Sequence, residues 1–390
     1  MTTPTAPQQG PSNAAGRNAT PMVPFPQAST HAYDNPGSFQ ITPGASPTRI
    51  APFDLTPNGF LRAVELHVST LTPAGGSPVG APTWPWCIFE NIQFLDTGGQ
   101  KMDDLNGYQL FADNLVSGDP WVPDPRMADD YSSSATAPNF RLQLQRELFP
   151  DGKGSLPNLS GAQKYRIRFT VDALANLYST APTSAPELNI NVVDHLWLLP
   201  AEVDEGGRPQ ARRPDLLGLA QYHKSIYPAN TQSVSKWKYQ IKSNGTLLKY
   251  IVLLAYDSTG TPNDAVFPDP FTFALDNDYP YSEVPLADVM RIWESKIGNK
   301  VNRPPGMLVL PYNYGRDRYL GGDGVGSLLP TSTGTWLCIQ GTQAVPTPGT
   351  FDVMLGEVST ANIDPQERAS MGAGTGVWQG AVAPVVAGAR

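Results

Sequence analysis

The chain has 390 residues, enough for two domains, and is 40% hydrophobic with 16% charged residues, a balance that can fill two cores but includes no apolar run as long as a membrane span. A net charge of -8 argues against wrapping nucleic acid by neutralising phosphates, so no direct nucleic-acid binding is expected. With 40 prolines and 36 glycines the chain reads as many short strands joined by turns, which speaks against a helical or doubly wound α/β fold.

Residues 1–46 are dominated by Pro, Thr, Ala, Gln, Asn and Ser and show no hydrophobic period, so they are expected to be a flexible N-terminal arm. No charged n-region followed by an apolar stretch is present, so no secretory signal is expected. Asn58-Gly59 precedes the apolar run Phe60-Leu61-Arg62-Ala63-Val64-Glu65-Leu66 and predicts a hairpin, because a type I′ turn demands positive φ at both central residues. A helix is predicted from about Asp103, with Leu105, Tyr108, Ala112 and Leu115 on one face and Asp103/Asp104 as capping groups.

Strict alternation then predicts half-exposed antiparallel strands. They carry Phe140, Leu142 and Leu144, then Tyr165, Ile167, Phe169 and Val171, then Leu188, Ile190, Val192, Leu196 and Leu198. Residues 201–235 read as a connector holding Arg208, Arg212 and Arg213 in a Gly/Pro setting. Trp237, Tyr239 and Ile241 alternate with lysines and Gln240, and Asn244-Gly245 again precedes an apolar run, Leu247 to Leu253. A second helix is predicted from near Ser282, with Pro285 in its first turn and Leu286, Val289, Met290, Trp293 and Ile297 along one side. Strands are predicted at 306–311, 335–341 and 351–358, and residues 361–390, rich in Gly, Ala and Val, form a C-terminal tail.

The order turn, strand, Asp, helix occurs twice, which indicates a tandem module. One constant offset places Phe60/Leu247, Arg62/Lys249, Val64/Ile251 and Leu66/Leu253 in register, and Phe94-Leu95-Asp96 is matched to Ala274-Leu275-Asp276. The copies differ on one face. Where the first has Glu65 and His67, the second has Val252 and Leu254, an apolar surface that a neighbouring module or a second subunit should cover. Val252 and Leu254, with the basic residues Arg208, Arg212 and Arg213, are therefore the candidate subunit-interface residues.

No enzyme chemistry is expected. His31, His67, His195 and His223 stand singly, without a second ligand at metal spacing, and no G-x-S-x-G elbow occurs. Gly321-Gly322-Asp323-Gly324-Val325-Gly326 lacks the Lys-Ser/Thr ending of a phosphate loop. Cys87 and Cys338 form no motif and read as free thiols. No catalytic, cofactor or metal site is assigned. Trp84-Pro85-Trp86 and Trp121 leave a sugar-stacking surface open as an alternative function.

Phe53-Asp54-Leu55-Thr56-Pro57-Asn58-Gly59-Phe60-Leu61-Arg62, Ile88-Phe89-Glu90-Asn91-Ile92-Gln93-Phe94-Leu95-Asp96 and Asn106-Gly107-Tyr108 resemble the double jelly-roll major capsid proteins of tailless, tectivirus-like bacterial viruses. The resemblance implies an all-β fold of two tandem eight-stranded jelly-roll sandwiches, each with one short helix, between flexible arms. It places the first roll at 47–200, the connector at 201–235 and the second roll at 236–360. It also implies a homotrimer with pseudo-hexagonal outline in an icosahedral virion shell, made in the host cytoplasm. The implied partners are neighbouring capsomers, penton or vertex and minor capsid proteins, and an internal viral membrane reached by the arms. A carbohydrate- or receptor-binding sandwich of a virion, or a minor capsid protein, is the alternative.

Overall fold

The computed structural model describes residues 29–117, 124–148, 154–198, 219–230, 237–242, 246–275, 278–297, 303–311, 328–331, 336–341 and 349–360. Those up to 198 form one unit of β1 (His31–Ile41), β2 (Thr48–Arg49), β3 (Phe53–Asp54), β4 (Phe60–Thr72), β5 (Val79–Gly80), β6 (Phe89–Leu95), β7 (Lys101–Leu105), α1 (Gly107–Ser117), β8 (Phe140–Gln145), β9 (Leu156–Pro157), β10 (Arg166–Val171), α2 (Leu174–Leu177), β11 (Tyr178–Thr180) and β12 (Glu187–Trp197). The rest form a second unit of β13 (Leu219–Asn230), β14 (Trp237–Lys242), β15 (Leu247–Asp257), β16 (Phe271–Leu275), β17 (Asp278–Val284), α3 (Leu286–Ile297), β18 (Met307–Pro311), β19 (Leu329–Pro330), β20 (Trp336–Gly341) and β21 (Gly349–Thr360).

The two units share one topology. In the first, a sheet ordered β1-β12-β4-β8 faces a sheet in which β10 pairs with β2, β3 and β6, and β6 with β7. In the second, the order β13-β21-β15-β18 faces β14-β20-β16-β17. The extra short strands also correspond, since β9 pairs with β4 and β19 with β15. Apart from the β6–β7 and β16–β17 hairpins, successive main strands cross from one sheet to the other, the jelly-roll arrangement. Each roll places its main helix between corresponding strands, α1 before β8 and α3 before β18.

Period-two patterning builds each core, because one face of every strand is apolar. Val64, Leu66 and Val68 of β4, Leu142 and Leu144 of β8, and Ile190 and Val192 of β12 meet Ile92, Phe94, Ile167 and Phe169 of the opposite sheet, all fully buried. In the second roll Ile251, Leu253, Phe271, Phe273, Leu308, Leu310, Val353 and Leu355 do the same. Burying a side chain of this size contributes about 1.5–3 kcal/mol. Cys87 and Cys338 are free thiols, and burial pushes the Cys87 thiol up to about 12.

Several expectations change. Asn58-Gly59 does not close a hairpin: Gly59 has φ +60, but β3 pairs with β10 and β4 with β12 and β8, so the turn carries the chain from one sheet to the other. A Cβ at Gly59 would collide with the Trp197 carbonyl. Asn244-Gly245 lies outside the described residues, yet its flanking strands also belong to different sheets. The first helix starts at Gly107, not Asp103, which lies in β7. Its cap is Asn106, whose Oδ1 accepts from the Gln109 backbone N–H at 2.8 Å while the Gln109 side chain accepts from the Asn106 N–H at 3.0 Å. The match of Phe94 to Ala274 shifts by one residue, because Ile92 pairs with Leu105 as Phe271 pairs with Val284, aligning Phe94 with the core residue Phe273.

The domain limits shift as well. Residues 31–41, expected in the arm, form β1 and pair with β12 from His31↔Trp197 to Ile41↔Leu188. Residues 219–230, expected in the connector, form β13, the edge of the second roll's first sheet. Deleting residues 1–46 should therefore strip a strand together with the core-packed side chains of Ile41 and Phe39, and lower the melting temperature by roughly 5 °C or more. A deletion ending at residue 28 removes none of the described contacts. Thermal unfolding of the two truncations, compared side by side, checks this.

Candidate assembly surfaces and the seam between the rolls

The rolls join through a shared sheet. The edge strand β13 runs parallel to the first roll's edge strand β7, with His223 opposite Asp103 and Lys224 opposite Asp104, so sheets of both rolls form one surface. Beside this join, the outward face of β15, β18 and β21 lies against α1. Val252, Leu254, Met307, Val309 and Met354 are at most 1% exposed and belong to the same apolar cluster as Tyr108, Leu110 and the first roll's core. The Tyr108 and Tyr256 rings are 6.2 Å apart, and burial pushes the Tyr108 hydroxyl up to about 12.

Val252 and Leu254 are thus covered within the chain, which corrects their assignment to a subunit interface. Their apolar face needed a partner, and the neighbouring module supplies it. Arg208, Arg212 and Arg213 lie outside the described residues, as do Trp121 and the glycine-rich run 321–326.

A buried ionic network threads the same seam. Arg146, following β8, pairs with Asp103 at 2.6 Å, and His223 Nδ1 pairs with the other oxygen of Asp103 at 2.7 Å. His223 Nε2 lies 3.4 Å from Asp113 of α1, which also accepts a hydrogen bond from the Tyr250 hydroxyl. Arg146 donates to the Gln221 carbonyl at 3.3 Å, and the Gln221 side chain donates to the Glu147 carbonyl at 2.7 Å and accepts from Lys249 at 3.0 Å. Asp103, Asp113, Arg146 and Glu147 come from the first roll, Gln221, His223, Lys249 and Tyr250 from the second. Burial lowers the His223 pKa, but the charges of Asp113 and Asp103 and hydrogen bonds to them more than offset this and raise it to about 9. The imidazole thus bridges Asp103 and Asp113 across the seam, with its protonated form favoured. In the sequence His223 stands alone and Asp103 has the place of a helix cap, because their proximity arises only from the β7–β13 pairing.

The corresponding outward face of the first roll is polar. Glu65 sits opposite Gln143 and Val193 as Val252 sits opposite Val309 and Met354, and His67 sits opposite Arg141 as Leu254 sits opposite Met307. Arg141 reaches Glu65 at 3.3 Å and Asp130 at 2.7 Å, while His195 Nε2 lies 3.6 Å from Glu65 and His67 Nε2 lies 3.7 Å from Asp130. Burial would raise the Glu65 pKa, but hydrogen bonding and charge from His195, with Arg141 and His67, bring it below the usual range. Tyr33 stands over the His195 ring at 4.9 Å and is 65% exposed.

On the inner face of β12, in line with Ile190 and Val192, Asp194 is fully buried opposite Asp34 of β1 and accepts weakly from the Thr56 N–H at 3.4 Å. Burial raises its pKa to about 7, with a further contribution from Asp34. Because the unfolded carboxyl ionises near 4, the ionised form opposes folding, so stability should fall as pH rises from about 4 through 7. Asp194→Asn is expected to flatten that slope and to be the more stable protein at pH 8, measured by denaturant titration across this range.

Trp86 is 3% exposed and stacks on Phe111 at 4.3 Å, while Trp84 donates its indole N–H to the Ser133 carbonyl and packs on Tyr178. The Trp84-Pro85-Trp86 segment is thus built into the roll rather than presented as a stacking surface.

No family model and no curated protein matches the sequence. Solved structures do match the fold. The major capsid protein of Sulfolobus turreted icosahedral virus superposes with a TM-score of 0.54 at 14% identity, covering 85% of this chain and 97% of that one. The major capsid protein of bacteriophage PM2 does so with a TM-score of 0.52 at 10% identity, covering 86% and 99%. A quasi-atomic model of the PBCV-1 virus capsid gives 0.56 at 10% identity, covering 85% and 94%. The chain has the double jelly-roll fold.

Proposed function

We infer that this protein is the major structural protein of an icosahedral virion shell, located in the capsid and acting by assembly rather than catalysis. The observation that carries the reading is the pair of like rolls locked side by side by a shared sheet and a buried seam, in a fold that nearly spans the chains of several capsid proteins. Two similar rolls per chain give three chains a six-lobed outline, which packs on a hexagonal lattice. The rigid seam makes each chain one building block. Many modest contacts between such blocks then add up to a shell.

In this reading the protein trimerises, its trimers contact neighbouring capsomers, and vertex and minor capsid proteins fill the remaining positions. Residues 1–28 and 361–390 contact neighbours or an internal viral membrane, and Arg208, Arg212 and Arg213 belong to a contact between subunits. Purified protein is expected to sediment as a trimer and to appear in negative-stain images as hexagonal particles with two towers per chain. A species that stays monomeric at high concentration would count decisively against a shell role. A sugar-binding or receptor-binding role loses support from the packing of Trp84 and Trp86.

A further inference from the structure

The edge strand β1 consists of two unlike halves joined by a bulge. Its register with β12 runs from His31↔Trp197 to Asp34↔Asp194, slips at Asn35 and Pro36, and resumes from Gly37↔Val192 to Ile41↔Leu188. The second half is anchored by side chains: Phe39 packs on Phe53 at 5.0 Å and on Phe169 at 5.5 Å, and Ile41 enters the core. The first half is held mainly by its backbone ladder, which extends to the Leu198 N–H on the Thr30 carbonyl at 2.9 Å. Tyr33 is exposed, His31 lies against Trp197 on the outer face, and toward the core the segment offers only Ala32 and Asp34. The bulge closes on itself: Asp34 Oδ1 accepts from the Asn35 N–H at 2.9 Å and Asn35 Oδ1 from the Gly37 N–H at 3.2 Å.

Beside the first half lies Asp194. Its Oδ2 takes the long bond from Thr56, and its Oδ1 is enclosed without a hydrogen-bond partner. Asp34 faces it from β1 and Val64 from β4, while the cations of the adjoining strands are engaged elsewhere, Arg62 with Glu147 at 2.6 Å and His195 with Glu65 at 3.6 Å. A carboxyl so placed is tolerated when neutral and costly when ionised. We propose that residues 31–34 are a latch released by pH: they stay paired to β12 while Asp194 holds its proton and part from it when that proton leaves to water, pivoting on Asn35 and Pro36. Opening lets water supply the donors that the carboxylate lacks, a local unfolding that leaves the anchored half in place. Freed residues 31–36 add roughly 20 Å of reach at about 3.3–3.6 Å each, so pH sets how far the preceding N-terminal segment extends from the roll. The latch goes beyond the shell reading and does not depend on it. The carboxyl sits at about 7 in the closed form and returns toward 4 when open, so the closed-to-open ratio falls by up to about tenfold per pH unit between about 4 and 7 and levels off above.

Amide hydrogen exchange of the full chain at about pH 5 and pH 8, expressed as protection relative to an unstructured chain at each pH, tests the latch. Protection at residues 31–34 should fall by about tenfold or more, while residues 37–41 and the core strand β6 keep theirs. Asp194→Asn should hold the protection at 31–34 within about twofold, and so should Asp194→Val, which extends the apolar row of Ile190 and Val192 should the first variant fold poorly. A second reading needs no change of pH: at about pH 8 chymotrypsin should cut after Tyr33 about tenfold faster in the wild type than in either variant. A wild type whose 31–34 protection does not change, a loss spread evenly over both halves of β1, or a pH response that survives in the variants overturns the latch.

Discussion

Replacing Arg146 by Ala is expected to lower the stability of the folded chain by about 3–5 kcal/mol, the usual consequence of removing one partner from a buried ion pair. Arg146 is fully enclosed, stacked 4.9 Å from the Phe94 ring, with its charge against Asp103. Without it Asp103 keeps, among the described residues, only His223 as a basic partner, and the Gln221 carbonyl loses a donor across the seam. Denaturant unfolding at pH 7 gives the number, and a loss below 1 kcal/mol would show that the network does not hold the rolls together. The same network sets a pH dependence. His223 has a folded pKa of about 9 against an unfolded value near 6.5, so its contribution is complete below about pH 6.5 and is lost as pH rises through about 9. His223→Gln should remove that alkaline slope and leave the pH 4–7 slope from Asp194 in place.

Val252→Glu is expected to be more disruptive than the reverse exchange, Glu65→Val, although the two residues hold equivalent positions in the two rolls. Val252 is fully buried where the second roll meets α1, so a carboxylate there loses its hydration among apolar side chains. That costs several kcal/mol, enough to part the rolls or to abolish soluble folded protein. Glu65 is 15% exposed on the polar outer face, and its loss removes ion pairs to His195 and the half-exposed Arg141 while Arg141 keeps Asp130. Its removal should cost about 1 kcal/mol or less. Calorimetry of both variants checks the asymmetry: equal effects would mean that the apolar face of β15 is not what binds the rolls.

The strands at 140–145, 166–171 and 187–197 were legible because a strand with one buried face writes a period of two into the chain. The duplication was legible for the same reason, as apolar parity recurred at Val64/Ile251 and Leu66/Leu253, and the apolar second face of β15 announced that something must cover it. The identity of the cover was not legible. Whether Val252 meets α1 or another subunit depends on how β7 and β13 pair, and that pairing joins residues far apart in the sequence. The Asn58-Gly59 turn misled because glycine at positive φ serves a bend between sheets as well as a hairpin. β1 was missed because its exposed face gives it a weak apolar pattern, and its place is fixed by hydrogen bonds to β12 together with Phe39 and Ile41 at its end. Local chemistry thus determined the strands, the repeat and the unsatisfied face. Only the tertiary structure decided which surfaces are spent inside the chain and which remain, since burial and the pKa of His223 belong to neighbours that the sequence keeps apart.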